Sequence, residues 1–286
     1  MIDGKTKVYG IFGFPVEHSL SPSMHNAAFR HLGINAAYLA FSISPDKLKD
    51  AVRTIRVLNM RGLNITVPHK ENIIRFLDTL SGEARLIGAV NTVVVRKDKL
   101  IGYNTDGYGF IRSLIWTGFN PKGKSFLIIG SGGASRSICA ALGKLKVKEI
   151  FICDVIEEKA KNLKAHIRRI FPNCYIEAVP VNSLKVVRDR LDIVVNATPL
   201  GLKETDPLPV DSQILKKGIM VYDLVYNPIE TKLLTLAKKK GLRYSNGIGM
   251  LLFQGALSFK LWMKQEPPIA VMRRALVSGL SRCKVP

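Results

Sequence analysis

A lysine placed just past a short strand, beside one amide and one hydroxyl, can move protons on a hydroxylated small molecule. Gly62-Leu-Asn-Ile-Thr-Val-Pro-His-Lys70 has that form. Strand side chains alternate faces, so Leu63, Ile65 and Val67 share one side and Asn64 and Thr66 the other. Pro68 cannot donate to a ladder; it ends or edges the strand and leaves Lys70 beyond it. The same residues also suit an edge strand with a solvated polar face and a solvated lysine. Spacing alone does not separate the two.

The run Phe126-Leu-Ile-Ile-Gly130-Ser131-Gly132-Gly133-Ala134-Ser135-Arg136 offers a different chemistry. It reads as strand, glycine turn and helix. Gly130 permits a tight turn, Gly132 lets backbone approach a pyrophosphate, and the helix N-terminus stabilises phosphate charge. Ser135 stands at the third glycine position and is small enough for close packing. The next strand ends at Asp154, 24 residues after Gly130. An acid there accepts hydrogen bonds from adenosine ribose hydroxyls and repels a 2′-phosphate, which predicts NAD over NADP. The alternative is that Asp154 only caps a helix beginning near Ile156.

These residues need a frame, and the hydrophobic pattern supplies one. Strands are expected at 8–14, 36–43, 63–67 and 89–95, the last ended by the turn Lys97-Asp-Lys. Helices are expected at 21–33, with Ser21 as N-cap and Pro22 at the first position, and at 45–58. A second unit begins near Gly107, with strands at 125–129, 149–153, 174–178, 191–196 and 219–224, a helix at 156–170 and a helical tail from Gly247. Alternation of strands and helices predicts an α/β protein with mostly parallel sheets.

Composition narrows the function classes. The 286 residues allow one large or two ordinary domains, and 47% apolar content supports packed cores. No apolar run is long enough for a membrane span, and Met1-Ile-Asp-Gly-Lys5 does not read as a targeting peptide. Cys139, Cys153, Cys174 and Cys283 are scattered with no Cys-x-x-Cys pair, which predicts neither a metal site nor disulfides, and fits a cytoplasmic protein. The net charge of +21 could signal nucleic-acid binding, but the basic residues are dispersed. Such a field is expected to attract small anions instead.

Taken together, the segments resemble the shikimate/quinate dehydrogenase family. Gly13-Phe-Pro-Val-Glu-His-Ser19-Leu-Ser21-Pro-Ser-Met-His-Asn26 is similar to its N-terminal signature, and Gly62–Lys70 to its second. Gly88-Ala-Val-Asn91-Thr92 and Gly102-Tyr-Asn-Thr105-Asp106-Gly107 look like the third and fourth. The loop Gly130–Ser135, Asn196-Ala-Thr198-Pro-Leu-Gly201, Asp223-Leu-Val-Tyr226-Asn-Pro and Asn246-Gly247-Ile-Gly-Met250-Leu-Leu-Phe-Gln254 complete the set, in order along the chain.

The resemblance implies a two-domain enzyme that interconverts shikimate and 3-dehydroshikimate with a nicotinamide cofactor. An α/β substrate domain would comprise 1–106 plus returning helices at 247–286, and a Rossmann-type doubly wound nucleotide domain 107–246, with the site in the cleft. By the family pattern Ser19 and Ser21 hold the substrate carboxylate, though Ser21 can also cap its helix. Asn64, Thr66, Asn91, Asp106, Tyr226 and Gln254 bind the ring hydroxyls or the carboxylate. Lys70 and Asp106 form the acid–base pair, a kind of group that contributes about 10²–10⁴-fold. Gly130, Ser131, Gly132, Gly133, Ala134, Asp154, Thr198, Leu224, Gly247 and Met250 line the cofactor. His18, His25 and His69 are expected to serve structure or loop packing. The implied partners are small molecules only, with neither nucleic acid nor membrane, in a monomer or homodimer.

One departure bears on the cofactor. Asp154-Val155-Ile156 stands where many NADP-dependent members carry Asn-Arg-Thr, with Lys159 one turn on. This is similar to the NAD-using branch, which often oxidises quinate in a degradative route. NAD is therefore the expected cofactor and NADP the alternative. Retention of Ser21 favours shikimate as at least one substrate, and quinate is the alternative main substrate.

Overall fold

The computed structural model describes residues 2–282. The chain divides into two units, one of Met1–Gly109 with Leu251–Pro286 and one of Phe110–Met250. The second therefore begins three residues later than Gly107, inside a helix.

The first unit is built on β1 (Lys7–Gly13), β2 (Ala36–Ser42), β3 (Gly62–Ile65), β4 (Thr79–Leu80), β5 (Thr92–Arg96) and β6 (Lys99–Tyr103). Their order in the sheet is β2-β1-β3-β5-β6-β4. β1 runs parallel to β2 and β3, whereas β5 is antiparallel to β3 and β6. The sheet is thus mixed rather than mostly parallel. The cause is local: Lys97 and Asp98 both adopt positive φ, making a two-residue hairpin that reverses the chain between β5 and β6.

β3 stops at Ile65, two residues short of the expected strand, and it is no edge. It lies between β1 and β5, and all four of its residues are buried. Leu63 and Ile65 pack with Leu48, Val52 and Ile55 of α2 (Leu48–Val57). Asn64 faces the other way, where α8 (Ile248–Met263) covers the sheet through Ser258 and Trp262. Val67 lies past the strand and is 65% exposed. The solvated-edge reading of this segment is therefore excluded.

α1 (Ser21–His31) starts one residue earlier than its capping pattern suggests. Leu20 occupies the N-cap and no side chain caps the helix, so Ser21 is the first helical residue and does not cap it. The unit is completed by α3 (Gly82–Ile87), the start of α4 (Asp106–Trp116) and α9 (Ile269–Arg282), which packs on α1.

The second unit carries β7 (Ser125–Ile129), β8 (Glu149–Cys153), β9 (Ile176–Ala178), β10 (Ile193–Asn196), β11 (Met220–Asp223) and β12 (Arg243–Ser245). All pairings are parallel, in the order β12-β11-β10-β7-β8-β9. That is the doubly wound order with its switch point between β7 and β10, where ligands bind beyond the strand C-termini. β7, β8, β10 and β11 are wholly buried, as parallel strands covered on both faces must be. α5 (Gly133–Lys144), α6 (Glu157–Ile170) and α7 (Lys232–Lys239) connect them. β12 has no counterpart among the expected strands; at three residues, two of them exposed, it carries almost no hydrophobic signal.

Among the described residues no helix is long and apolar enough to cross a membrane, and no group of three or more His, Cys, Asp or Glu could hold a metal. Cys139, Cys153 and Cys174 are free thiols, and burial raises the pKa of each. Cys283 lies outside the described residues.

Candidate active site

β1 and β3 are parallel, so the loops that follow them leave from the same end of the sheet. Lys70 emerges from one of these loops. Its carbonyl accepts from the Val90 amide at 2.8 Å, which sets it beside Asn91. Its ammonium donates to Asp106 Oδ2 at 2.5 Å. The pair is shielded, with side chains 13% and 5% exposed. Asp106 opens α4, where a carboxylate is favoured by the helix dipole. Its other oxygen accepts from Asn91 Nδ2 at 2.8 Å.

Asn91 holds the centre of the polar cluster. Its Nδ2 also lies within bonding distance of Thr105 Oγ1 at 2.8 Å and Gln254 Oε1 at 3.2 Å. Its Oδ1 accepts from the Thr105 amide at 2.8 Å and from Thr92 Oγ1 at 3.0 Å. Asn64 is tied in behind it. Asn64 Oδ1 accepts from the buried Tyr38 hydroxyl at 2.7 Å, and Asn64 Nδ2 donates toward Asn91 O, Thr92 Oγ1 and Ser258 Oγ. Ser258 and Thr92 hydroxyls meet at 2.7 Å.

Thr66 and the serine loop come together through the same strand pairing. The Thr66 amide donates to Phe12 O and the Phe14 amide to Val67 O. A Cβ on Gly13 would meet Thr66 Cγ2 at 2.3 Å, so only glycine lets the loops approach this closely. Ser19 follows, half-buried, and Ser19 Oγ accepts from the amide of buried Ser21 at 3.3 Å.

Seven of the substrate candidates, together with Gln254, therefore belong to the first unit. Tyr226 belongs to the second, three residues past β11. Thr92 and Thr105 stand inside motifs already singled out but carried no expected role there, and Tyr38 and Ser258 were not singled out at all. The two threonines adjoin Asn91 and Asp106, and Ser258 lies four residues after Gln254, on the same helical face; that spacing was the available signal.

The histidines do not enter the cluster. His69 is fully buried with Nε2 2.7 Å from Ile43 O. His25 stacks on Tyr38 at 4.5 Å, and burial pushes its pKa down to about 3. His18 is exposed.

In the second unit the glycine turn has the geometry an anion requires. Gly130 sits at φ +97°, where a side chain would be strained and its Cβ would meet Thr198 Cγ2 at 2.9 Å. Gly132 is the N-cap of α5, no side chain caps the first turn, and a Cβ there would meet no protein atom within 4 Å. The first turn of α5 is thus uncapped beside open space at Gly132, the kind of helix N-terminus that suits an anion. Ser131 Oγ donates to Asp154 Oδ2 at 2.5 Å, and Asp154 Oδ1 accepts from the Ile156 amide at 2.9 Å. Asp154 therefore does not cap α6, whose N-cap is Ile156 with no side-chain cap; it shapes the turn before the helix, and each carboxylate oxygen keeps a second lone pair that a ribose hydroxyl could use.

The other cofactor candidates converge on neighbouring strand ends. Thr198 Oγ1 donates to Asn196 Oδ1 at 2.7 Å, and the Leu224 amide to Asn196 O at 2.9 Å. A Cβ on Gly247 would collide with Leu224 O at 2.0 Å. Met250 is buried near Tyr222. Asp223, fully buried, fixes these loops by accepting from Asn196 Nδ2, the Val225 amide and Thr231 Oγ1. Burial lifts its pKa to about 6.

An ammonium–carboxylate pair in one unit and a doubly wound, glycine-turn unit behind it in the chain define a dinucleotide-dependent oxidoreductase. The comparisons make that class specific. Residues 11–93 match the description "Shikimate dehydrogenase substrate binding domain" and 247–277 match "Shikimate 5'-dehydrogenase C-terminal domain". The "Shikimate dehydrogenase (NADP(+))" of Desulforamulus reducens is 47% identical over 282 residues, covering 96% of each chain. A crystal structure of a shikimate dehydrogenase in complex with NADP+ is 40% identical with TM-score 0.90, covering 98% of each chain. That of shikimate 5-dehydrogenase from Listeria monocytogenes, in complex with shikimate and NAD, is 37% identical with TM-score 0.86, covering 96% of this chain and 98% of that one. The chain belongs to the shikimate dehydrogenase family and is a nicotinamide-dependent oxidoreductase.

Proposed function

We propose that this enzyme interconverts shikimate and 3-dehydroshikimate, with Lys70 and Asp106 moving the proton. The shielded Lys70–Asp106 pair, clamped by Asn91, carries this reading. An ammonium has three N–H donors, so Lys70 can bond Asp106 and still reach a substrate oxygen. As the ring hydroxyl becomes a carbonyl, its proton passes to this pair; in the reverse direction the pair returns it. When bound, the nicotinamide ring supplies or accepts the hydride. Ser19 and Ser21 anchor the carboxylate, and Asn64, Thr66, Asn91, Tyr226 and Gln254 orient the ring. The unit of 1–109 with 251–286, close to the expected 1–106 with 247–286, acts as the substrate domain, and that of 110–250 as the nucleotide domain. Three free thiols fit a cytoplasmic setting.

For the cofactor we favour NAD. Asp154 repels a 2′-phosphate, and Val155, 86% exposed, offers it no cation. The relatives named for NADP(+) are the opposing consideration. One assay matrix tests the whole reading: shikimate and quinate, each against NAD and NADP. Shikimate with NAD is expected to give the highest kcat/KM. A higher value with NADP overturns the Asp154 argument, and a higher value with quinate reverses the substrate order. Joint replacement Asp154→Asn with Val155→Arg is expected to raise kcat/KM for NADP about tenfold, equivalent to 1.4 kcal/mol.

A further inference from the structure

The first unit has a second polar pocket, at the end of the sheet away from Lys70. It measures 390 Å³, within the range of small-molecule sites. β1 and β3 begin there and antiparallel β5 ends there, which brings Lys7, Arg61 and Arg96 to one rim. Lys264, just past the end of α8, completes it. Trp262 and Tyr9 wall the pocket, with ring centroids 5.3 Å apart. The indole is held rigidly: its N–H donates to Val93 O at 3.0 Å, and it rests where a Cβ on Gly62 would be, at 2.3 Å. An Arg96 N–H donates to Leu261 O, which keeps that guanidinium at the helix end.

Four cations and no carboxylate line this pocket. Four exposed cations gathered around an aromatic surface, with no acid among the lining residues, raise the local concentration of anions at this point. We propose that this pocket binds a small phosphate-type dianion, its oxygens on Arg61, Arg96, Lys7 and Lys264 and any apolar body on the Trp262 face. Guanidinium groups suit phosphate because their N–H pairs match its oxygens. None of the residues belongs to the proton-transfer or nucleotide machinery.

Trp262 is the reporter. The chain has two tryptophans, so Trp116→Phe leaves Trp262 alone. Phenyl phosphate and inorganic phosphate are titrated at constant ionic strength while Trp262 emission is followed. A saturable change is expected. The double variant Arg61→Gln, Arg96→Gln should weaken it about fivefold or more, as each exposed charge is worth about two- to fivefold. Exposed Lys217→Gln should leave it unchanged, and both variants should retain shikimate turnover, showing that they fold. Tighter binding of phenyl phosphate assigns an organic ester as the ligand, and equal binding assigns the inorganic anion. Absence of saturation, or an undiminished response in the active double variant, overturns the proposal.

Discussion

Removal of one amine tests the chemistry most directly. Lys70→Ala leaves Asp106 bonded to Asn91, so the carboxylate keeps a partner and the fold should survive. The expected result is a kcat loss of about 10²–10⁴-fold with a much smaller change in KM, measured by steady-state NAD(P)H formation. Near-normal turnover would remove Lys70 from the proton path. Ser258 tests the support behind it. Ser258→Ala deprives Thr92 and Asn64 of a buried partner. The cost should be about 1–2 kcal/mol of stability, read from urea unfolding. Lys70, Asp106 and Asn91 were legible because their motifs resemble a known family in order. Ser258 and Tyr38 were not, because a hydroxyl inside an apolar helix or strand looks like any other core position until its partner is known.

At the scale of elements, Gly62 shows what pairing adds. From the strand pattern it is simply a start residue. In the sheet it lies under Trp262, and a methyl group there meets a rigid indole. Gly62→Ala is expected to destabilise the protein by about 1–3 kcal/mol in urea titrations. Asp223 gives an element-scale pH dependence. Its pKa is lifted by burial from 3.8 to about 6, so the folded state holds a proton that the unfolded state has lost. Stability from this residue is present below pH about 4 and is lost as pH rises through about 6. Relative to Asp223→Asn, the wild type should lose about 3 kcal/mol across that window. A difference independent of pH would sink the argument. Strand identity was readable where parallel strands are buried on both faces: 125–129 and 149–153 match their observed bounds. Strand order was not readable. Hydrophobic runs do not encode neighbours, so the central place of β3 between β1 and β5 could not be told from an edge. The Lys97-Asp-Lys turn was visible, but not that it would make the sheet mixed.

The whole molecule carries +21, and the catalytic clusters account for almost none of it. Excess charge of one sign acts in two directions. It repels itself in the folded state, and it raises the local concentration of anions around the protein. Shikimate and the dinucleotide are both anions, so the field should speed their encounter. Screening weakens both effects, since the Debye length falls from about 30 Å at 0.01 M salt to about 8 Å at 0.15 M. Raising KCl over that range should therefore raise the thermal midpoint while lowering kcat/KM, chiefly through KM. The two measurements must move in opposite senses. If kcat/KM is flat while the midpoint rises, the surplus charge bears on the folded state alone and long-range steering has no part in this enzyme's turnover.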